Sequence, residues 1–186
     1  MRKVIFFNLT SLDGYFEGPD RDINWHNVDD EFNEFAIQQT GEFGAFLFGR
    51  VTYELMTGYW PTEDAKRDDP IIAGLMNSLP KIVFSKTLKK VEWENTRLVN
   101  DKFVEVVTKL KHDSGKDIAV FGSSDLAVTL IEHGLIDELR IMVNPIVLGE
   151  GKPILQGIKT KLSLKLLKTR TFKSGNILLY YEPEYK

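Results

Sequence analysis

The fold is decided by residues 46–56, which read FLFGRVTYELM. Residues 45–48 form a short apolar run that predicts a buried strand, and residues 50–57 have the pattern of a helix. The change from strand to helix falls at Gly49 and Arg50. Such a junction is the unit from which parallel sheets are built, and the first turn of its helix presents N–H groups that suit an anion.

The same alternation of strand and helix continues along the chain. Apolar runs predict strands at residues 4–9, 81–84, 118–121 and 139–143. Spacing and capping signals predict helices that begin at Asp29 or Asp30, span 70–77 and 102–112, and end at Gly134. Residues 10–28 read as a long ordered loop and residues 58–69 as irregular chain. This alternation predicts an α/β fold with a mostly parallel sheet.

The tail of the chain has a different pattern. Residues 162–171 and 176–181 alternate more regularly, and Lys173, Ser174 and Gly175 supply a turn between them. We therefore expect a closing antiparallel hairpin at one edge of the sheet.

Composition excludes several classes of function. The chain has 186 residues with 42% apolar and 27% charged residues, a net charge of −3 and no cysteine. Disulfides, thiolate metal sites and a cysteine nucleophile are excluded, and the three histidines lack metal-ligand spacing. No charge excess favours nucleic acid, and no apolar run approaches the ~20 residues that span a bilayer. We expect one cytoplasmic domain, residues 1–186, without a metal, a nucleic-acid partner or a membrane segment.

Three predicted strand ends carry glycine, hydroxyl or basic residues that suit phosphate groups. Ligands of open α/β sheets bind beyond the carboxyl ends of the strands, where glycine lets the backbone approach a diphosphate. The residues concerned are Gly49, Arg50 and Thr52, then Ser85 and Lys86, then Gly122, Ser123 and Ser124. In the alternative interpretation, each glycine serves a turn and each hydroxyl only caps a helix. Neither GxGxxG nor a P-loop is present.

The sequence resembles the dihydrofolate reductase-like superfamily over nearly the whole chain, and four stretches carry the resemblance. They are SLDGYFEG (11–18), FLFGRVTYE (46–54), VFSKT (83–87) and VFGSSDLAVTLIEHGLIDELRIMVNPIVLGEGKPIL (120–155). The last resembles the reductase domain of riboflavin biosynthesis more than folate reductase. The resemblance implies an NADPH-binding, three-layer mixed sheet with a C-terminal antiparallel hairpin.

The resemblance also implies roles for the strand-end residues. Gly49, Arg50 and Thr52 would hold the diphosphate and adenosine-phosphate side of NADPH, and Ser85 and Lys86 its 2′-phosphate. Gly122, Ser123 and Ser124 would hold the diphosphate. The sequence departs from folate reductases at Gly122-Ser123, where those enzymes have Gly-Gly.

Two carboxylates are candidates for the catalytic proton, and each belongs to a different model. Asp13, in Ser-Leu-Asp-Gly, matches the riboflavin-type first loop, and Glu31 matches the acid of folate reductases after a one-residue insertion. Alternatively, Asp13 is a turn residue before Gly14, and Glu31 is a solvated acid in the first turn of a helix. Trp25 and Trp60 either stack on a flat heterocycle or belong to the core. His26, His112 and His133 are expected at surface or cap positions.

These observations predict an NADPH-dependent reductase of a small heterocycle. The resemblance implies a pyrimidine or pterin substrate, similar to that of 5-amino-6-(5-phosphoribosylamino)uracil reductase. The alternatives are dihydrofolate reductase proper and a non-catalytic NADP-binding protein of the same fold. A zinc deaminase is excluded because the chain lacks cysteine and any HxE motif. A homodimer is expected, since riboflavin reductases are dimeric and the apolar closing strands would otherwise form a free edge.

Overall fold

The computed structural model describes residues 1–185 and builds them around an eight-stranded sheet. The strands are β1 (Val4–Thr10), β2 (Tyr15–Glu17), β3 (Phe43–Gly49), β4 (Lys81–Phe84), β5 (Thr96–Val99), β6 (Asp117–Phe121), β7 (Glu138–Val143), β8 (Lys152–Pro153), β9 (Ser163–Thr171) and β10 (Ile177–Glu184). The helices are α1 (Asp30–Gly41), α2 (Arg50–Thr57), α3 (Glu63–Asp68), α4 (Pro70–Ser78), α5 (Phe103–His112) and α6 (Ser124–Glu132).

The main sheet has the order β5-β4-β3-β6-β1-β7-β10-β9. All pairs from β5 to β7 are parallel, and β10 is antiparallel to both β7 and β9. This arrangement confirms the mostly parallel sheet with a closing antiparallel hairpin. The short strands β2 and β8 pair separately, outside the main sheet.

Helices cover both faces of the sheet because its central strands are apolar on both sides. On β1, Val4 and Phe6 pack on the same side as Val107 of α5 and Leu130 of α6. On the opposite side, Ile5 packs in one cluster with residues of α2 and α4, and Phe7 packs in another with Phe35 of α1. A parallel strand buried on both faces requires this cover, and the three-layer prediction is confirmed.

Local capping signals place several helix ends where the sequence predicts them. Asp29 is the N-cap of α1, and its Oδ1 accepts a hydrogen bond of 2.8 Å from the Phe32 N–H. Helix α6 ends at Glu132, just before Gly134, and the Leu135 N–H donates back to the Leu130 carbonyl over 2.9 Å. These caps satisfy backbone groups that the helices themselves leave free.

Several short elements, α3, β5, β2 and β8 among them, were not predicted. Helix α3 lies in the segment expected to be irregular, where Thr62 accepts a hydrogen bond from the Ala65 N–H. Only Ala65 of this helix is buried, so no apolar period marks it. Strand β5 is an edge strand with Val99 as its one buried residue, and β2 lies inside the predicted loop 10–28. Within residues 1–185, no helix has the length and apolarity needed to cross a membrane.

Candidate active site

A cleft of about 910 Å³ follows the carboxyl ends of the central strands β4, β3, β6 and β1. Helix α1 lines it along one side with residues of its first and last turns. All eight strand-end residues predicted to bind a cofactor line this cleft, namely Gly49, Arg50, Thr52, Ser85, Lys86, Gly122, Ser123 and Ser124. The fold thus brings three separate sequence signals into one site, while their binding roles stay predictions.

Ser123 joins the ends of β3 and β6. Its Oγ accepts a 2.9 Å hydrogen bond from the Gly49 N–H and lies 3.2 Å from the Phe121 carbonyl, to which it donates. Ser124 Oγ accepts from the Leu155 N–H over 2.9 Å. Both hydroxyls therefore organise the loops around the cleft. The structure does not support the alternative that Ser123 caps α6, because the N-cap makes no side-chain hydrogen bond there.

The first turns of α2 and α6 open onto the cleft without side-chain caps. The N-cap of α2 is Gly49, which has no side chain, and the N-cap of α6 is Ser123. Gly122, which directly precedes Ser123, has φ +63°, and a Cβ built on it would lie 3.5 Å from the Thr52 methyl. Uncapped helix N-termini carry partial positive charge, so this part of the cleft suits a diphosphate.

Basic side chains stand at the same end of the cleft. Arg50 Nη1 lies 2.8 Å from Glu54 Oε2 in an ion pair that is largely exposed. Exposed pairs at this spacing contribute only about 0.3–0.5 kcal/mol, so a phosphate competes readily for Arg50. Lys86 is exposed and forms no ion pair within residues 1–185. Ser85 Oγ accepts from the Thr87 and Leu88 N–H groups and so shapes the turn that carries Lys86.

The other end of the cleft is aromatic and uncharged where it is buried. Phe7, Phe16, Phe32 and Phe121 line this end, whereas Phe84 and Phe103 line the cleft beside the end of β4. The buried polar residues there are Asn8, Gln39 and Thr40, all of them neutral. Trp60 lines the cleft and also packs against the hydrophobic core, so its stacking on a heterocycle stays a prediction. Trp25 does not line the cleft, and its indole N–H donates to the Asp22 carbonyl over 3.0 Å.

His26 also lines the cleft, although the sequence led us to expect a surface or cap position. Burial lowers the pKa of its imidazole to about 4. Its Nε2 is buried and has no hydrogen-bond partner in the part of the chain that the structure describes. The side chain is therefore neutral at pH 7 and has one ring nitrogen unsatisfied.

The two candidate catalytic carboxylates lie outside the lining of the cleft and apart from each other. Asp13 accepts from the Gly149 N–H over 2.7 Å and from the Leu148 N–H over 3.1 Å. The Ser11 hydroxyl and these two N–H groups lower the pKa of Asp13 to about 2. Glu31 accepts from the Lys173 N–H over 2.8 Å and pairs with Arg170 over 3.4 Å. The structure therefore does not bring them together as two acids facing one cleft, and their catalytic roles stay predictions.

Comparison with known proteins shows the family. Residues 2–178 match the RibD C-terminal domain. The chain belongs to the RibD C-terminal domain family. An uncharacterised protein YyaP of Bacillus subtilis (strain 168) is 35% identical over 97% of this chain and 94% of its own length. The sequence resemblance to the reductase domain of riboflavin biosynthesis is thereby confirmed at the level of the family.

Two solved structures have the same fold as this chain. A putative riboflavin biosynthesis protein from Shewanella sp. PV-4 superposes with a TM-score of 0.75 at 23% identity, covering 98% of this chain and 99% of that chain. A deaminase/5-amino-6-(5-phosphoribosylamino)uracil reductase from Thermotoga maritima superposes with a TM-score of 0.70 at 15% identity. It covers 98% of this chain and 56% of that longer chain. At these identities the likeness concerns the fold.

Several residues of the cleft were missed by the sequence reasoning. Asn8, Gln39 and Thr40 sit inside or beside apolar segments, and a single polar residue there gives no pattern. Lys152 also lines the cleft and pairs with Asp125 over 2.8 Å. The signal that was available for Asn8 is an amide in the middle of the buried strand VIFFNLT, since buried amides need partners. Within residues 1–185 no cluster of His, Asp or Glu is positioned to hold a metal ion.

Proposed function

We propose that the chain is an NADPH-dependent reductase of a small heterocycle of the pyrimidine or pterin type. One observation carries the proposal: three phosphate-suited strand ends share a cleft whose other end is lined by aromatic rings and by buried polar residues that are all neutral. The name of the Thermotoga maritima relative includes a uracil reductase, which supports a pyrimidine-type ring.

The residues of the cleft fit NADPH in their chemistry. The uncapped N-termini of α2 and α6 would hold the diphosphate, and Arg50 and Lys86 would hold the 2′-phosphate. When bound, NADPH supplies the hydride. The protein then has to hold the nicotinamide ring and the substrate in contact, in the orientation that the transfer needs. The aromatic side chains Phe7, Phe16 and Phe121 would exclude water from the reacting rings.

The alternative of dihydrofolate reductase proper is less well supported. Its acid on the first helix corresponds to Glu31, whose carboxylate is bound to the closing hairpin. The residues that α1 presents to the cleft are uncharged: Phe32, Asn33, Ala36, Gln39 and Thr40. A pterin held through an acid on this helix would therefore lack that acid. A non-catalytic NADP-binding protein of the same fold can be distinguished from the proposed reductase only by measuring turnover.

Cofactor preference tests the proposal first. We expect NADPH to raise the melting temperature of the protein much more than NADH at equal concentration. Charge-assisted hydrogen bonds are each worth about 1.5–3 kcal/mol, so one such bond to the 2′-phosphate gives tenfold or more in affinity. Arg50→Glu should remove most of this preference, since it places a negative charge at the expected phosphate.

Arg67→Glu is the matched control, because Arg67 is an exposed, ion-paired arginine on α3 that does not line the cleft. In this variant, NADPH and NADH should each shift the melting temperature as they do in the wild type. Equal shifts with NADH and NADPH would refute the cofactor assignment. Turnover is then measured as loss of NADPH absorbance with a panel of pyrimidines and pterins. Tight NADPH binding with no reducible ring would favour the non-catalytic protein.

A further inference from the structure

Asn8 occupies a particular place at the end of the central strands. Strand β6 ends at Phe121, while β1 continues to Thr10 beside β7. The Gly122 N–H donates to the Phe7 carbonyl over 3.2 Å, so Phe7 faces the β6 edge. Leu9, two residues later, faces the same edge after β6 has turned away. Its N–H donates instead to Asn8 Oδ1 over 3.0 Å.

This hydrogen bond sets the orientation of the Asn8 amide. Because Oδ1 accepts from Leu9, the Nδ2 group is the end left over. Asn8 is only 5% exposed and lines the cleft, and its Nδ2 has no hydrogen-bond partner within residues 1–185. A buried donor without an acceptor is costly in a folded protein, which indicates that an external acceptor meets it.

The order of the strands places Asn8 at a defined distance from the phosphate end. Strands β4, β3, β6 and β1 are consecutive neighbours, and adjacent strands lie about 4.8 Å apart. Lys86 follows β4, Gly49 is the last residue of β3, and Gly122 directly follows β6. The end of β1 is therefore three strands, or about 14 Å, from the end of β4. With the phosphates over β4, β3 and β6, the reacting rings lie over β1, beside Asn8.

The residues around Asn8 indicate which chemical class of ring the cleft can bind. All buried polar residues that line the cleft are neutral: Asn8, Gln39, Thr40, Ser85, Ser123 and Ser124. The acidic side chains that line it, Glu17, Asp69 and Asp125, are partly or fully exposed. Phe7 and Phe121 meet edge to face, with ring centroids 5.8 Å apart. This is an environment for a flat, uncharged ring that offers an acceptor.

We infer that Asn8 is a substrate-binding residue whose Nδ2 donates to a carbonyl oxygen on the heterocycle of the substrate. The substrate class is then an uncharged, planar heterocycle with a ring carbonyl. This inference rests on the proposed function, because it takes the phosphate end of the cleft to be filled by NADPH. The competing acceptor in the same place is the carboxamide oxygen of the nicotinamide.

The test compares two substitutions that both remove the donor. Asn8→Asp keeps the shape and the acceptor for Leu9 and adds a charge, whereas Asn8→Leu keeps the size and adds none. The ligands are NADP⁺, 2′-phospho-ADP-ribose, which lacks nicotinamide, and uracil titrated into NADP⁺-loaded protein. We expect both variants to lower the affinity for uracil by about tenfold or more. Their affinities for the two nucleotides should stay within about threefold of the wild-type values.

A second measurement does not depend on the variants folding. In the wild-type protein, the side-chain amide resonances of Asn8 should shift when uracil is added to the NADP⁺-loaded state. An unmoved Asn8 amide, or unchanged uracil affinity in folded variants, overturns the inference.

The nucleotides separate the remaining outcomes. If the variants bind NADP⁺ more weakly but bind 2′-phospho-ADP-ribose as the wild type does, the Asn8 donor meets the carboxamide of the cofactor. That result would also overturn the inference. If the wild type binds NADP⁺ but not uracil, the ring class is wrong while the proposed cofactor stands. If NADP⁺ itself does not bind, the proposed function fails and the inference fails with it.

Discussion

Asp13 does not line the cleft itself, but it holds a loop that leads to a residue of the cleft. Its carboxylate holds the Leu148 and Gly149 N–H groups, and the chain that follows them leads to Lys152, which lines the cleft. We propose that Asp13 supports turnover by positioning this loop. Glu31 does not line the cleft and is bound to the closing hairpin, so its removal should weaken the hairpin contact and leave the cleft intact.

The prediction is that Asp13→Asn lowers turnover by up to about 10²-fold, the scale expected when a site is displaced by about 1 Å. Glu31→Gln, which is equally conservative, should change turnover less than threefold. Neither substitution should weaken NADPH binding much, because the phosphate contacts lie on other strand ends. The measurement is kcat on a confirmed substrate, together with hydrogen exchange at Leu148 and Gly149. Normal turnover in both variants would show that neither carboxylate matters for the reaction.

His26 predicts a pH dependence of stability. Its pKa is about 4 in the folded protein because of burial, against 6.5 for the free side chain. Between these values the unfolded chain binds more protons, so the free energy of unfolding rises with pH. The contribution is present above pH 6.5 and is lost as the pH falls through about 4, and it amounts to up to about 3 kcal/mol.

His26→Gln should flatten the stability curve between pH 6.5 and 4, measured by urea unfolding. His133→Gln is the control, because His133 is exposed at the end of α6 and its Nδ1 lies 2.8 Å from the Thr129 carbonyl. It should keep the wild-type slope. The burial of His26 would be contradicted if the two variants gave the same curve.

Among the elements, the pairing of β2 with β8 depends on one close backbone approach. Gly151 has φ +143°, and a Cβ built on it would lie 2.3 Å from the Glu17 carbonyl oxygen of β2. Since that oxygen is backbone, no side-chain movement relieves the clash. The pair β2–β8 joins the first loop to the segment that carries Lys152.

Gly151→Ala should therefore separate β8 from β2 and expose Glu17 and Lys152 to rapid hydrogen exchange. Gly149→Ala is a matched control, because Gly149 also has positive φ, +79°, but its Cβ would have no atom within 4 Å. The control should cost only the backbone strain of about 1–2 kcal/mol. Equal destabilisation by the two alanines, measured by thermal unfolding, would refute the close approach as the cause.

At the scale of the whole molecule, β9 is a long edge strand with an apolar surface. Its residues are almost all exposed, including Leu164, Leu166 and Leu167 at 40%, 53% and 44%. An edge of this kind pairs with another chain unless it is covered. We propose a homodimer in which β9 of each copy meets the other.

The prediction is a dimer by light scattering at micromolar concentration, and a 21.3 kDa monomer for Leu166→Lys. Ile71→Lys is the control, because Ile71 is an apolar residue of α4 that is 56% exposed and lies away from β9. It should leave the assembly unchanged. A monomeric wild type would contradict the proposed dimer.

Most strands and helices were predictable because their signals are local. The junction FLFGRVTYELM combines an apolar run, a glycine and helical spacing within eleven residues, and the structure has β3 and α2 there. Helix α3 and strand β5 were missed because each buries one residue and therefore has no period to read. The eight strand-end residues were found for the same local reason, as each belongs to a short junction.

The sequence by itself determined the βα junctions, the closing hairpin and the family, since these depend on neighbours within a few residues. The tertiary structure alone decided which side chains face the cleft. Asp13 and Glu31 do not line the cleft, and each accepts a hydrogen bond from an N–H group that is 136 or 142 residues away in the sequence. No local sequence pattern records such contacts. The Leu9 N–H binds Asn8 Oδ1, and so leaves Nδ2 toward the cleft, because β6 ends beside β1 while β1 continues, and this depends on the order of the strands in the sheet.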